Sequence, residues 1–196
     1  MKPAQKDYYY RKARREGYRA RSSYKLIQMN SKYQLIWRND TVLDLGAAPG
    51  GWLQVAKDIS GGVVLGVDRK DIEPIDGVET VRGDIISEFT LTKIRKIITC
   101  ADVVICDASP NLSGKWSYDH ARSIDLASTA LDLCEKILKT DGNFAVKVFQ
   151  GNLYNGFLKD MGKRFEFVKG YTPEASRKES AEIYVIGKRY MRCTQD

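Results

Sequence analysis

The sequence predicts an α/β fold: a mostly parallel, seven-stranded sheet with helices on both faces and an antiparallel last strand. Three observations carry this. Apolar runs such as TVLDL, VVLGV and ADVVIC alternate with segments of helical spacing. Near-continuous apolar runs are what parallel strands covered on both faces require. The last two runs, FEFVK and AEIYVIGK, are joined by a stretch too short for a helical crossover, so they should pair antiparallel at one edge.

In chain order, Ser22 or Ser23 can cap a first helix that continues through Leu26, Ile27, Met29 or Asn30, and Tyr33. Val42–Leu45 is the first strand and Trp52–Ile59 a helix closed by Gly61 and Gly62. Val63–Val67 and Val78–Val81 are the second and third strands, and Leu91–Ile98 is a helix. Ala101–Cys106 is a fourth strand, apolar apart from Asp102, followed by a loop from Ala108 to Tyr118. A long amphipathic helix carries Ile124, Ala127, Leu131, Cys134 and Leu138 and stops near Gly142. Asn143–Phe149 is the fifth strand, Leu153–Met161 a helix, and Phe165–Lys169 and Ala181–Lys188 the final strands.

The chain has 196 residues, 43% of them hydrophobic and 29% charged, which fits one ordinary globular domain. No apolar run approaches the roughly 20 residues needed to cross a bilayer. The start MKPAQKDYYY has no hydrophobic segment, so the expectation is a cytoplasmic protein, and a monomer. Cys100, Cys106, Cys134 and Cys193 are scattered and read as reduced thiols; with a single His, a zinc or other metal site is not expected. His120 reads as a surface residue.

The net charge of +7 points to a polyanionic partner. Its distribution is uneven. Arg11, Arg14, Arg15, Arg19 and Arg21 cluster with Tyr8, Tyr9, Tyr10, Tyr18 and Tyr24, opposed only by Asp7 and Glu16. Cations contact phosphates and aromatic rings stack on unpaired bases, so residues 1–20 read as a basic, RNA-binding arm on a single domain at 21–196. Trp116, beside Gly114 in the loop after the fourth strand, is a further candidate for stacking on a base.

The turn LDLGAAPGGW follows the first strand. Glycine there lets backbone approach a ligand, and a helix start offers free N–H groups. The spacing is not that of a dinucleotide fingerprint, and Asp44 would repel a pyrophosphate. A carboxylate before the first glycine suits a cation, such as the amino group of S-adenosyl-L-methionine. Asp44, Asp68, Asp84 and Asp107 all stand at strand ends, where ligands of such sheets bind. Asp68 suits ribose hydroxyls and Asp84 an adenine amino group. The candidate cofactor set is Asp44, Gly46, Pro49, Gly50, Gly51, Trp52, Asp68, Asp84 and Asp107. An NAD-linked dehydrogenase would use Asp68 likewise but lacks its glycine loop here.

Together LDLGAAPGGW, CDASPNLSG, KVFQG and SRKESAEIY resemble the FtsJ/RrmJ family over about Arg21 to Lys188. The resemblance implies a Rossmann-like class I methyltransferase fold and S-adenosylmethionine-dependent ribose 2′-O-methylation of RNA. It also implies a Lys-Asp-Lys-Glu catalytic set, matched by Lys25, Asp107, Lys147 and Glu182. The family's common D-M-A-P is D-A-S-P here, with Asp107 and Pro110 kept. The chemistry agrees. A ribose hydroxyl must lose a proton as it attacks, and a lysine can accept one only when neutral, which desolvation and a second cation favour. Lys147 lies within the apolar AVKVF. The expected substrate is a uridine of large-subunit ribosomal RNA. A tRNA ribose is the runner-up and an mRNA cap the third reading, with an RNA-binding protein on an inactive scaffold as the non-enzymatic alternative.

Overall fold

The computed structural model describes residues 4–177 and 179–191; Lys2 and Cys193 lie outside them. The strands are β1 (Val42–Leu45), β2 (Val64–Asp68), β3 (Glu79–Arg82), β4 (Ala101–Cys106), β5 (Leu138–Phe149), β6 (Phe165–Tyr171) and β7 (Glu182–Tyr190). The helices are α1 (Ala4–Arg15), α2 (Ser23–Tyr33), α3 (Gly51–Ser60), α4 (Glu88–Ile97), α5 (Trp116–Ile137) and α6 (Tyr154–Gly162).

One sheet of seven strands runs in the order β3-β2-β1-β4-β5-β7-β6. Strand β7 is antiparallel to both neighbours and the remaining pairs are parallel. The final pair is therefore antiparallel, as expected, but β7 inserts beside β5 and leaves β6 at the edge. The order reverses between β1 and β4, and the crevice for a ligand opens at that switch point.

Two apolar cores sandwich the sheet. On one face Leu91, Ile94, Leu131 and Phe157 of α4, α5 and α6 pack on Leu43, Val104, Val146 and Val185. On the other, Leu26 and Met29 of α2 and Leu53 and Val55 of α3 cover Val42, Ile105, Ala145 and Ile186. Helix α1 docks on α2 through Ala13 and Tyr24, with Tyr9 against them.

Four local expectations are corrected. Helix α5 begins at Trp116, inside the expected loop, because Asp119 turns back to accept from Ser113 N, Ser113 Oγ and Gly114 N. Strand β5 starts directly at the end of α5, its polar stretch Lys139–Asp141 being exposed. Ser22 is the N-cap residue of α2 but makes no side-chain capping hydrogen bond, and Ser23 is the first residue of the helix. The Ser22 carbonyl accepts from Trp52 Nε1 at 2.8 Å, and Ser23 Oγ donates to Gly51 O at 3.0 Å. His120 is buried, 1% exposed. Its Nε2 accepts from Leu153 N at 3.0 Å, so Nδ1 carries the proton and donates to Phe149 O at 3.0 Å.

Candidate active site

Four elements bring one polar cluster together at the C-terminal end of the sheet. Asp107 follows β4, Lys147 lies on β5, Glu182 opens β7, and Lys25 comes from α2 above them. Residues two apart on a strand share a face, so Glu182 and Tyr184 point the same way. Their register puts Tyr184 opposite Lys147 and Glu182 opposite Phe149. The face is the one α2 covers, which is why Lys25 meets them.

Lys25 Nζ donates to Glu182 Oε2 at 2.9 Å and to Tyr184 Oη at 3.1 Å. Lys147 Nζ donates to the Asp107 carbonyl at 2.7 Å and lies 3.2 Å from Asp107 Oδ1 and 3.8 Å from Glu182 Oε1. Both lysines are only 8% exposed. Burial alone would raise Glu182, but the charges of Lys25 and Lys147 and hydrogen bonds from Lys25 and Ser180 outweigh it and hold its pKa below the usual value. Removing one member of such a buried charge set leaves another unpaired, at about 3–5 kcal/mol.

Sequence reasoning missed Tyr184. Its hydroxyl donates to Asp107 Oδ1 at 2.6 Å while accepting from Lys25, so it joins the two. Burial, then the charge of Asp107, push its pKa well above 10. The available signal was its position two residues after Glu182 within SAEIY.

A cavity of about 830 Å³ opens beside the cluster at the β1/β4 switch point, with Gly46, Ala48, Asp68, Asp84, Asp107 and Pro110 in its wall. That volume is in the range of small-ligand sites. Gly46 has φ +76°, and a Cβ there would stand 2.6 Å from the Ala108 Cβ, so glycine is required by the close approach of the two strand ends. Asp68 shapes the turn: Oδ2 accepts from Ala48 N at 2.9 Å and Oδ1 from Lys70 N at 2.8 Å. Asp84 Oδ1 accepts from Ile86 N at 3.2 Å. Asp44 is enclosed, 1% exposed, and neither carboxylate oxygen has a hydrogen-bond partner among the described residues. Burial, then the charges of Asp107 and Asp68, raise its pKa well above the usual carboxylate range.

Asp44, Pro49, Gly50, Gly51 and Trp52 are not in the cavity wall. A Cβ on Gly50 would meet Ile75 and Arg19, and one on Gly51 would meet Ser23 Oγ at 2.7 Å. The space beside Gly50 is thus taken by Ile75 and Arg19, and that beside Gly51 by Ser23 and Ala20. Trp52 is buried beneath that segment.

The arginines divide as well. Arg19 is not free for a phosphate: its guanidinium donates to the carbonyls of Pro49, Glu73 and Pro74. Arg21 donates to Ala175 O at 2.8 Å. Arg11, Arg14 and Arg15 are exposed, Arg15 lying 3.6 Å from Glu16. Trp116 is 51% exposed, with its ring stacked near His120 and Phe149 at centroid distances of 6.1 and 6.0 Å.

A doubly wound sheet with a cavity at its switch point, and a Lys-Asp-Lys-Glu cluster beside it, define the class: a Rossmann-like methyltransferase. The family model described as "FtsJ-like methyltransferase" matches residues 18–190, and the chain belongs to that family. "Ribosomal RNA large subunit methyltransferase E" of Methanosarcina mazei is 61% identical over 188 residues, 95% of this chain and 70% of its own. The protein of the same name from Archaeoglobus fulgidus is 52% identical over 186 residues, 95% of this chain and 97% of its own. Among solved structures, a putative ribosomal RNA methyltransferase from Plasmodium falciparum superposes with a TM-score of 0.82 at 26% identity, covering 89% of this chain and 100% of that one.

Proposed function

We propose that this protein uses S-adenosyl-L-methionine to methylate a ribose 2′-hydroxyl of large-subunit ribosomal RNA, at a uridine. The observation that carries the reading is the meeting of Lys25, Asp107, Lys147 and Glu182 beside the switch-point cavity. The names of its relatives support ribosomal RNA as the substrate.

The site fits the cofactor. Asp44, two residues before Gly46 of the cavity wall, offers a buried carboxylate without a partner to a cationic group, and Asp68 and Asp84 offer acceptors along the cavity. When bound, S-adenosylmethionine supplies an electrophilic methyl. The chain's own work is to place the ribose and manage its proton. Lys147 Nζ accepts the proton of the 2′-hydroxyl, held in position by Asp107 on one side and Glu182 on the other. Lys25 is the second cation, fixed by Glu182 and Tyr184. Such a base contributes about 10²–10⁴-fold, and positioning supplies more.

The basic arm at 1–20, through Arg11, Arg14 and Arg15, draws the RNA phosphates toward the 21–196 domain, and Trp116 stacks on a base. The protein works as a cytoplasmic monomer; among the described residues no helix is long and apolar enough to cross a membrane. The test is to incubate the protein and S-adenosylmethionine with large-subunit ribosomal RNA or with tRNA, digest, and identify 2′-O-methylated nucleosides by mass spectrometry. Methyluridine from ribosomal RNA is the expected product. Product from tRNA alone would replace the substrate, and none from either would sink the activity.

A further inference from the structure

A second cavity, of about 540 Å³, lies where α1 meets the β6–β7 loop, and shares no wall residue with the one at the switch point. Tyr8 and Tyr9 form one wall, and Pro173, Glu174, Ser176 and Arg177 the other. The two walls differ in what holds them. Tyr9 is fixed: its hydroxyl accepts from Gln28 Nε2 at 3.1 Å, and its ring packs 5.4 Å from that of Tyr24. Tyr8 leans on the edge of Tyr9 and is 53% exposed, an aromatic face at the cavity without a core to fill. Ser176 Oγ is buried and has no hydrogen-bond partner among the described residues. A buried hydroxyl left unpaired is costly, and a ligand that pairs it recovers the loss.

The cavity adjoins the catalytic cluster through one link. Ser180, also in its wall, accepts at Oγ from Glu182 N at 3.2 Å. The nearby lip is cationic. Arg21 is tied to the loop through the Ala175 carbonyl. Burial, then the charge of Arg177, push its pKa down, against the opposing pull of Glu182. Arg177 is exposed in the cavity wall, where a cation suits a phosphate.

We propose that this cavity is a nucleotide subsite: it takes an unpaired base of the RNA next to the ribose being methylated. Tyr8 stacks on the base, Ser176 Oγ and the Glu174 carboxylate read N–H and acceptor groups on its edge, and Arg177 receives the adjoining phosphate. The proposal rests on the reading of RNA as substrate. Stacking platforms joined to cations are how single-stranded RNA is held, whatever its sequence. A base anchored here would fix the strand relative to Lys147 through the Ser180–Glu182 connection.

The test uses the full chain and large-subunit ribosomal RNA. Tyr8→Ala and Arg177→Gln should each raise the KM for RNA about tenfold or more, with kcat and S-adenosylmethionine affinity unchanged. Tyr8→Phe, which keeps the ring, should stay near wild type. Arg177→Gln should also lower the slope of RNA affinity against salt by about one phosphate. In parallel, RNA carrying single 4-thiouridines beside the target nucleotide is irradiated with the wild type and the cross-links are mapped. Cross-links to Tyr8 or the 172–180 loop support the subsite. Unchanged KM in both variants, or cross-links only elsewhere, overturns it. Cross-linking needs no turnover, so RNA that cross-links here without being methylated would remove the activity and leave the subsite standing.

Discussion

Lys147 and Tyr184 stand opposite each other across β5 and β7, and both reach the same atom, Oδ1 of Asp107, at 3.2 and 2.6 Å. Tyr184 has one proton to give and gives it to Asp107, so its lone pair is open to Lys25. The two lysines are thus connected by a hydroxyl and a carboxylate as well as by Glu182. Tyr184→Phe keeps the packing, including the ring 5.7 Å from Trp52, and removes only the connection. Leaving a buried donor or acceptor without its partner costs about 1–3 kcal/mol. We expect kcat to fall about tenfold while S-adenosylmethionine affinity, measured by calorimetry, stays put. Full activity in this variant would reduce Tyr184 to core packing.

Lys147→Ala should abolish methyl transfer, losing about 10²–10⁴ in rate, and leave cofactor binding nearly intact. Lys147→Arg should fare no better, because a guanidinium stays protonated and cannot take the 2′-hydroxyl proton. Single-turnover rates separate this from RNA binding. Retained activity in Lys147→Arg would mean that the position supplies only a fixed positive charge, and the acceptor would have to be Asp107 or water.

What could be read from the sequence follows the physics of each element. Strand β4 matched its expected bounds because parallel strands buried on both faces are continuous apolar runs. The start of α5 was hidden because Lys115 is no capping residue, and the stabilising contact from Asp119 runs backward to Ser113. Helix α1 was hidden because its sequence is mostly polar, and it is held by a small aromatic patch around Ala13 and Tyr24. At the site, the acids were legible because strand ends converge on one edge. The partners of Arg19 lie 30 to 55 residues away in sequence and those of Tyr184 77 and 159 away, and no local pattern encodes such contacts. The glycines illustrate the same limit: Gly46 and Gly51 look alike in LDLGAAPGGW, yet one admits Ala108 and the other Ser23.

Asp44 gives a pH dependence whose sign is fixed. Its pKa in the folded protein lies well above the usual carboxylate value, through burial first and then Asp107 and Asp68. The folded state therefore holds a proton that the unfolded chain has released. The stability this group contributes is present below the ordinary carboxylate range and is lost as pH rises through the raised pKa. A cationic ligand group beside it favours the ionised form, so binding should expel the proton in that window. Calorimetry of S-adenosylmethionine binding in buffers of different ionisation enthalpy should show proton release in the wild type and none in Asp44→Asn. The variant should melt higher without ligand at the upper end of the window, and bind the cofactor more weakly by about 1.5–3 kcal/mol. Equal proton release in both proteins would assign the ionisation to another group.

Arg19 separates the basic arm into two jobs. Its guanidinium holds Pro49 O at 3.2 Å, Glu73 O at 2.5 Å and Pro74 O at 2.7 Å, and its backbone N–H donates to Gln54 Oε1 at 2.8 Å. It thus ties the β1–α3 turn, whose Gly46 and Ala48 form cavity wall, to the loop after β2. Arg14 and Arg15 are exposed and make no such ties to the turn. Arg19→Ala should lower the melting temperature and weaken S-adenosylmethionine several-fold, since hydrogen bonds from a charged group are worth about 1.5–3 kcal/mol and these are partly solvated. RNA affinity, measured separately, should change little. Arg14→Glu with Arg15→Glu should do the reverse: weaker RNA binding, a flatter salt dependence and an unchanged cofactor site. The comparison is decisive because all three residues look equivalent in the sequence. If Arg19→Ala instead weakens RNA as the double reversal does, with cofactor affinity and melting temperature intact, Arg19 belongs with the phosphate contacts and the tie to Pro49 is incidental.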